Sequence, residues 1–216
     1  MGAMGLPTIH IVDDDALVRE CLADMAADAG FAALTHATAE DFLAKAEVAK
    51  AGCVVVDLHL PGIDGLDLMD RIAGRDPDLP VIMVSGAGQV AHAVAALKGG
   101  AVDFIQKPVR AAAFARSLAE AAERRRQRAE ARERKAQVRA LAQRLSDRER
   151  QVMGMIADGL SNGEVAAALG ISARTVENHR ARVMDKMGAA NLSQLIRQTL
   201  SLGEGEAMAS AVRAGR

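Results

Sequence analysis

Tryptophan and tyrosine are absent from this chain, and four phenylalanines are its only benzene-type rings. With half of the 216 residues apolar, any core must be built from Ala, Val, Leu, Ile and Met. Only two cysteines occur, Cys21 and Cys53, in apolar stretches without metal-ligand spacing. They are expected to be buried reduced thiols rather than a disulfide or a metal site. No apolar run approaches the roughly 18 residues of a membrane span, and no signal-peptide pattern opens the chain, so a cytoplasmic protein without a membrane partner is expected. Met1-Gly2-Ala3-Met4-Gly5 reads as an added leader and is set aside. The net charge of −1 hides a division. Residues 1–118 carry 16 acids against 9 Lys/Arg, and residues 119–216 carry 12 against 18. An acidic half is thus followed by one that tolerates a polyanion.

The length allows one large domain or two small ones. From residue 8 to 110, short β-type runs (8–12, 31–36, 53–57, 81–85, 102–105) alternate with helical patterns near 15–29, 39–49, 65–74 and 88–98, and a fifth helix starts near 110. Such alternation predicts a five-stranded parallel sheet with helices on both faces. Residues 111–141 contain neither Pro nor Gly and carry opposite charges four apart at Glu120/Arg124, Arg126/Glu130 and Glu130/Arg134. They read as one long charged helix. Residues 145–202 read as four helices. Ser146-Asp147-Arg148-Glu149 and Ser161-Asn162-Gly163-Glu164 are capping boxes opening the first two. A turn at 170–172 leads into a third helix near 173–187, and Asn191 opens the fourth. The tail after Gly203 is expected to fray.

Four strands of the first half end in a polar group: Asp13 with Asp14, Asp57, Ser85 and Lys107. In a parallel sheet these ends share one edge, where open α/β sheets place their ligands. A carboxylate at Asp57 would be a nucleophile toward phosphorus. Asp13, Asp14, Asp57 and the backbone carbonyl at His59 offer oxygen ligands to Mg²⁺. Lys107 would neutralise a phosphate oxygen and Ser85 would donate a hydroxyl to the same group. Any one of these residues is more often a turn, cap or solvated charge; the joint pattern carries the argument.

Val12-Asp13-Asp14-Asp15, Asp57-Leu58-His59-Leu60-Pro61-Gly62-Ile63-Asp64-Gly65, Val84-Ser85-Gly86 and Gly100-Ala101-Val102-Asp103-Phe104-Ile105-Gln106-Lys107-Pro108 resemble the receiver domain of bacterial two-component response regulators, the last two segments being closest to the FixJ/NarL-type branch. The resemblance implies a flavodoxin-like fold, a sensor histidine kinase as phosphodonor and a cis bond between Lys107 and Pro108. It also implies a switch in which Ser85 moves toward the phosphate and the ring of Phe104 turns inward. His59 occupies a position that tunes phosphate lifetime in the family.

In the second half, Val176, Val183 and Met187 form an apolar stripe on the third helix, leaving Arg174, Glu177, Asn178, Ala181 and Arg182 on other faces. The spacing is that of a helix-turn-helix whose third helix could enter a major groove. The segments beginning Leu145-Ser146-Asp147-Arg148-Glu149, Gly159-Leu160-Ser161-Asn162-Gly163 and Ile171-Ser172-Ala173-Arg174-Thr175 resemble the LuxR-type DNA-binding domain. By that resemblance Glu177, Asn178 and Ala181 face bases, and Thr175, Arg182 and Lys186 lie near the DNA backbone. Gly163 stands where the family often has lysine.

The expected architecture is an α/β receiver domain (6–118) joined by a helical linker (119–144) to an all-α four-helix helix-turn-helix domain (145–202), with a tail at 203–216. The expected function is a transcriptional response regulator, switched by Mg²⁺-dependent phosphorylation of Asp57 that promotes homodimerisation and binding to a double-stranded operator. The receiver's dimer surface is expected at about 89–118, and RNA polymerase is a further partner the resemblance allows. The chain is expected not to be a conventional enzyme. An aspartyl-phosphate hydrolase wants a second Asp two residues after the nucleophile, where this chain has His59. The alternative is an orphan regulator whose receiver serves dimerisation or sensing without phosphorylation.

Overall fold

The computed structural model describes residues 7–47, 51–86 and 90–203. The leader, the tail beyond Gly203, and the expected helical positions 48–49 and 88–89 lie outside them. The chain divides into two compact units, Met1–Ala129 and Glu130–Arg216.

In the first unit, β1 (Thr8–Val12), β2 (Ala32–His36), β3 (Cys53–Asp57), β4 (Val81–Ser85) and β5 (Asp103–Gln106) alternate with α1 (Ala16–Asp28), α2 (Ala39–Lys45), α3 (Gly65–Arg75) and α4 (Val90–Lys98), followed by the start of α5 (Ala111–Ala142). All pairings are parallel, in the order β2-β1-β3-β4-β5. This is the flavodoxin-like order, whose direction reverses between β1 and β3 and leaves a crevice beyond their carboxyl ends. β3 and β4 are buried at every residue. Central parallel strands covered on both faces need such continuous apolar runs. Alternation along β3 sends Val54 and Val56 toward Phe42, Leu68 and Ile72, and Cys53 and Val55 toward Leu22, Phe114 and Leu118.

Two strands shift by one residue, β2 at its start and β5 at both ends. β2 begins at Ala32 because Phe31 N–H still closes the end of α1 on the Ala26 carbonyl (2.9 Å), beyond Gly30 at φ +85°. β5 runs from Asp103 to Gln106, although Val102 N–H still bonds the Val81 carbonyl at 2.7 Å. One cysteine expectation is corrected. Cys53 is buried in β3, whereas Cys21 is exposed. On α1 the inward positions are Leu22 and Ala26, and Cys21 shares its face with Leu17, Asp24 and Asp28, all exposed.

The second unit contains the end of α5 with α6 (Asp147–Ala157), α7 (Asn162–Leu169), α8 (Ala173–Met187) and α9 (Leu192–Leu202). The two capping boxes form as expected, Ser146 with Glu149 and Ser161 with Glu164, and Asn191 caps α9. Val138, Leu141 and Ala142 of α5 join Met153, Val183, Met187 and Leu195 in one core. Val152, Ile156, Val165 and Val176 form another. Without Gly or Pro to stop it, α5 continues for 32 residues. Glu120–Arg124 (2.7 Å) and Glu130–Arg134 (3.5 Å) pair along it, and Arg126 reaches Glu123.

Candidate functional site

Parallel strands β1, β3, β4 and β5 deliver Asp13, Asp57, Ser85 and Lys107 to one sheet edge. Register fixes their depth: Val12 lies beside Val56, Asp57 beside Val84, and Ser85 beside Gln106. Asp13, Asp57 and Ser85 are buried, and Asp14 is exposed. The carboxylates of Asp13, Asp14 and Asp57 each place an oxygen within 4.8 Å of the others. Lys107 Nζ donates to Asp13 Oδ2 at 2.7 Å and to Asp57 Oδ2 at 2.6 Å. The second Asp57 oxygen, Oδ1, accepts from the backbone N–H of His59 at 3.1 Å, and Asp13 Oδ1 accepts from that of Asp15 at 3.0 Å. Each buried carboxylate is thus oriented by one amide, and the two share a single ammonium.

Burial is the largest influence on Asp13, pushing its carboxyl above the ordinary range despite the hydrogen bond from Lys107. Burial alone would favour a neutral amine at Lys107, but the hydrogen bonds to Asp13 and Asp57 outweigh it and raise its pKa. The peptide bond between Lys107 and Pro108 is cis. Phe104 is half-buried, packed against the core that includes Leu68 and Met69. His59 is exposed, its ring edge-on to His92 with centroids 6.0 Å apart.

Sequence reasoning passed over Gly65. A Cβ there would stand 2.3 Å from the Asp57 carbonyl oxygen and 2.8 Å from Leu58 Cα. Only glycine lets the start of α3 close on the strand end that carries the nucleophile, where its N–H bonds the Leu58 carbonyl at 3.0 Å. The Gly-containing turn after Asp57 was visible in the sequence, but the close approach was not.

In the second unit, Gly170 at φ +64° ends α7 and Ser172 caps α8, accepting from Thr175 N–H at 3.1 Å. Val176, Val183 and Met187 are fully buried, while Arg174, Glu177, Asn178, Ala181 and Arg182 are exposed, so the expected reading face of α8 is presented to solvent. Thr175 Oγ1 lies 2.8 Å from Ser172 Oγ. Lys186 is half-buried and donates to the buried Glu149 at 2.6 Å, which commits its ammonium inside the unit. That hydrogen bond, with the N–H of Ser146 next, holds Glu149 down to a pKa of about 2. Arg180 Nη1 donates to Asn162 Oδ1 at 3.2 Å, joining α8 to the start of α7.

An acidic cluster with one lysine at the carboxyl edge of a 2-1-3-4-5 sheet, followed by a helix-turn-helix, defines the class as a receiver-controlled DNA-binding regulator. The family described as the response regulator receiver domain matches residues 9–119, and that described as bacterial regulatory proteins, luxR family, matches residues 143–199. The chain is 41% identical over 198 residues to the transcriptional regulatory protein FixJ of Rhizobium meliloti, covering 92% of this chain and 97% of that protein. It is 42% identical over 205 residues to the C4-dicarboxylate transport transcriptional regulatory protein DctR of Rhodobacter capsulatus, covering 89% and 98%. Among solved structures, the response regulator StyR matches with a TM-score of 0.74 at 32% identity, covering 90% of this chain and 98% of that one. Full-length FixJ from B. japonicum matches with a TM-score of 0.54 at 36% identity, covering 92% and 98%. The chain belongs to the two-component response regulators, as a FixJ-like transcription regulator with a LuxR-type DNA-binding domain.

Proposed function

We propose that Asp57 accepts a phosphoryl group from a sensor histidine kinase in the cytoplasm, and that the phosphorylated chain dimerises and binds a double-stranded operator. The observation that carries this reading is the convergence of Asp13, Asp14, Asp57 and Lys107 on one pocket. An all-oxygen donor set of this kind suits a hard divalent cation, so Asp13, Asp14 and Asp57, with the carbonyl at His59, would hold Mg²⁺. When bound, the ion supplies charge neutralisation between the attacking carboxylate and the phosphate oxygens. Asp57 attacks phosphorus as the bond to the donor breaks, and Lys107 follows the new phosphate as its counter-charge. Ser85 donates its hydroxyl to the phosphate and Phe104 turns further into the core. The chain is a substrate and switch rather than a conventional enzyme. RNA polymerase is a further partner of the DNA-bound form.

Moving such a switch from minor to dominant needs on the order of 5 kcal/mol of differential stabilisation, dimer contacts included. Val90, Val94 and Leu97 support a dimer face on α4, being exposed apolar side chains on one helix.

Wild type and Asp57→Asn are compared on a phosphate-affinity gel with a small phosphodonor, with and without Mg²⁺, and by light scattering. A Mg²⁺-dependent shifted band, lost in the variant and accompanied by dimer, is the expected result. An Asp57→Asn chain that still responds would sink the mechanism. An unmodified wild type would favour a receiver that acts without phosphorylation.

A further inference from the structure

The charges along the second part of α5 are not evenly distributed. Among the described cations of this helix, Arg124, Arg126 and Arg134 pair with Glu120, Glu123 and Glu130. Arg125 is held by Asp76 and Arg128 by the Pro77 carbonyl. Arg132, Lys135 and Arg139 are exposed and make no hydrogen bond or ion pair with any described residue. At 100° per residue these three fall on one face, spanning roughly 10 Å of helix at about 1.5 Å per residue. They line a shallow groove of about 320 Å³ whose floor is Ala136 and Ala140, with Gln143 at its end. Glu130 and Glu133 lie on other faces of the helix, at least about 100° away from the middle of the stripe.

A solvated helix face with balanced charge would need no partner. This one has three cations with no ion-paired acid among the described residues, and alanines that let a backbone approach closely. The stripe is also rigidly tied to the DNA-reading element. Val138 and Ala142, within about a quarter turn of the stripe on α5, and Leu141, nearly opposite it, pack in the same core as Val183 and Met187 of α8. We infer that Arg132, Lys135 and Arg139 form a second contact surface for double-stranded DNA, binding the phosphate backbone flanking the segment read by α8. The partner is a regular polyanion whose phosphates are close enough together for a 10 Å stripe to meet more than one. The surface carries no sequence information; it adds affinity and fixes orientation, as phosphate contacts do.

This inference rests on α8 binding DNA, and the test separates the two. Full-length wild type, Arg132→Gln/Lys135→Gln/Arg139→Gln and Arg132→Lys/Arg139→Lys are titrated against a labelled duplex of arbitrary sequence, about 30 base pairs long, at salt concentrations from roughly 50 to 200 mM. Arg182→Gln serves as the helix-turn-helix control. The glutamine variant should lower the salt slope of log K by about 2 to 3 and weaken binding about 10- to 100-fold at roughly 0.1 M salt, since each phosphate contact contributes about 0.9 to the slope. The lysine variant, which keeps the charge, should keep the wild-type slope. Unchanged slope in the glutamine variant, with Arg182→Gln still reducing it, would overturn the inference while leaving α8 as the DNA reader. Tighter binding by the glutamine variant would also overturn it, since the stripe would then oppose DNA binding. A wild type with no salt-dependent binding would sink the DNA-binding reading itself.

Discussion

At the scale of single residues, one ammonium holds two buried carboxylates at the receiver edge. Lys107 Nζ is 2.7 Å from Asp13 and 2.6 Å from Asp57, and its side chain is 21% exposed against 1% and 8% for theirs. Removing it leaves two like charges facing each other in a poorly hydrated pocket. Lys107→Ala is therefore expected to lose on the order of 2 kcal/mol in metal-free buffer, less than a fully buried pair because Lys107 is partly hydrated. Added Mg²⁺ should raise the melting temperature of the variant more than that of wild type, since the cation replaces the missing positive charge. Equal Mg²⁺ shifts in a thermal melt would show that the carboxylates do not share a cation site. The strand ends that carry these groups were visible as polar residues closing apolar runs. The double contact of one lysine was not, because Asp13 and Lys107 are 94 positions apart and only the sheet order brings them together. The Cys21 expectation failed for a local reason: an apolar neighbourhood does not bury a residue whose helical face points outward.

At the scale of elements, legibility followed the strength of local chemistry. β3 and β4 fell where Cys53-Val54-Val55-Val56 and Val81-Ile82-Met83-Val84 demanded them, and α6, α7 and α9 began at the residues whose side chains cap them. Long-range pairings between helices left no such trace. Glu149 completes a capping box, which the sequence shows, and also receives Lys186 from 37 positions away, which it does not. The pair has a consequence for acid stability. The ordinary carboxyl value is 4.5 and the folded value about 2, so the folded state binds fewer protons there. Its stabilisation is fully present above about 4.5 and is lost as pH falls through about 2. Glu149→Gln should flatten the pH dependence of the second unit's unfolding across that window. Denaturation followed at several acidic pH values checks this, and an unchanged slope would show that the Lys186 contact does not hold the charge. The carboxyl is covered but shallow, so the effect is expected to be modest.

At the scale of the whole molecule, the division at Ala129 and Glu130 falls inside one unbroken helix. The first turns of α5 supply Phe114, Leu118 and Ala121 to the receiver core, and its last turns supply Val138, Leu141 and Ala142 to the other. Absence of Gly and Pro made the long helix legible in the sequence; its shared membership in two cores depends on packing partners far away in the chain. A fragment of residues 1–129 contains both receiver cores and is expected to unfold cooperatively and to accept phosphate at Asp57 in the presence of Mg²⁺. Circular dichroism melting and the phosphate-affinity gel check this, and a fragment without a cooperative melt would place essential receiver contacts beyond residue 129. The half-buried ring of Phe104 sits in a molecule that has neither tryptophan nor tyrosine. The chain is therefore almost dark to near-ultraviolet light. A single indole substituted at that ring would be its only fluorophore, and its emission would report the polarity around one switch residue with no background to subtract.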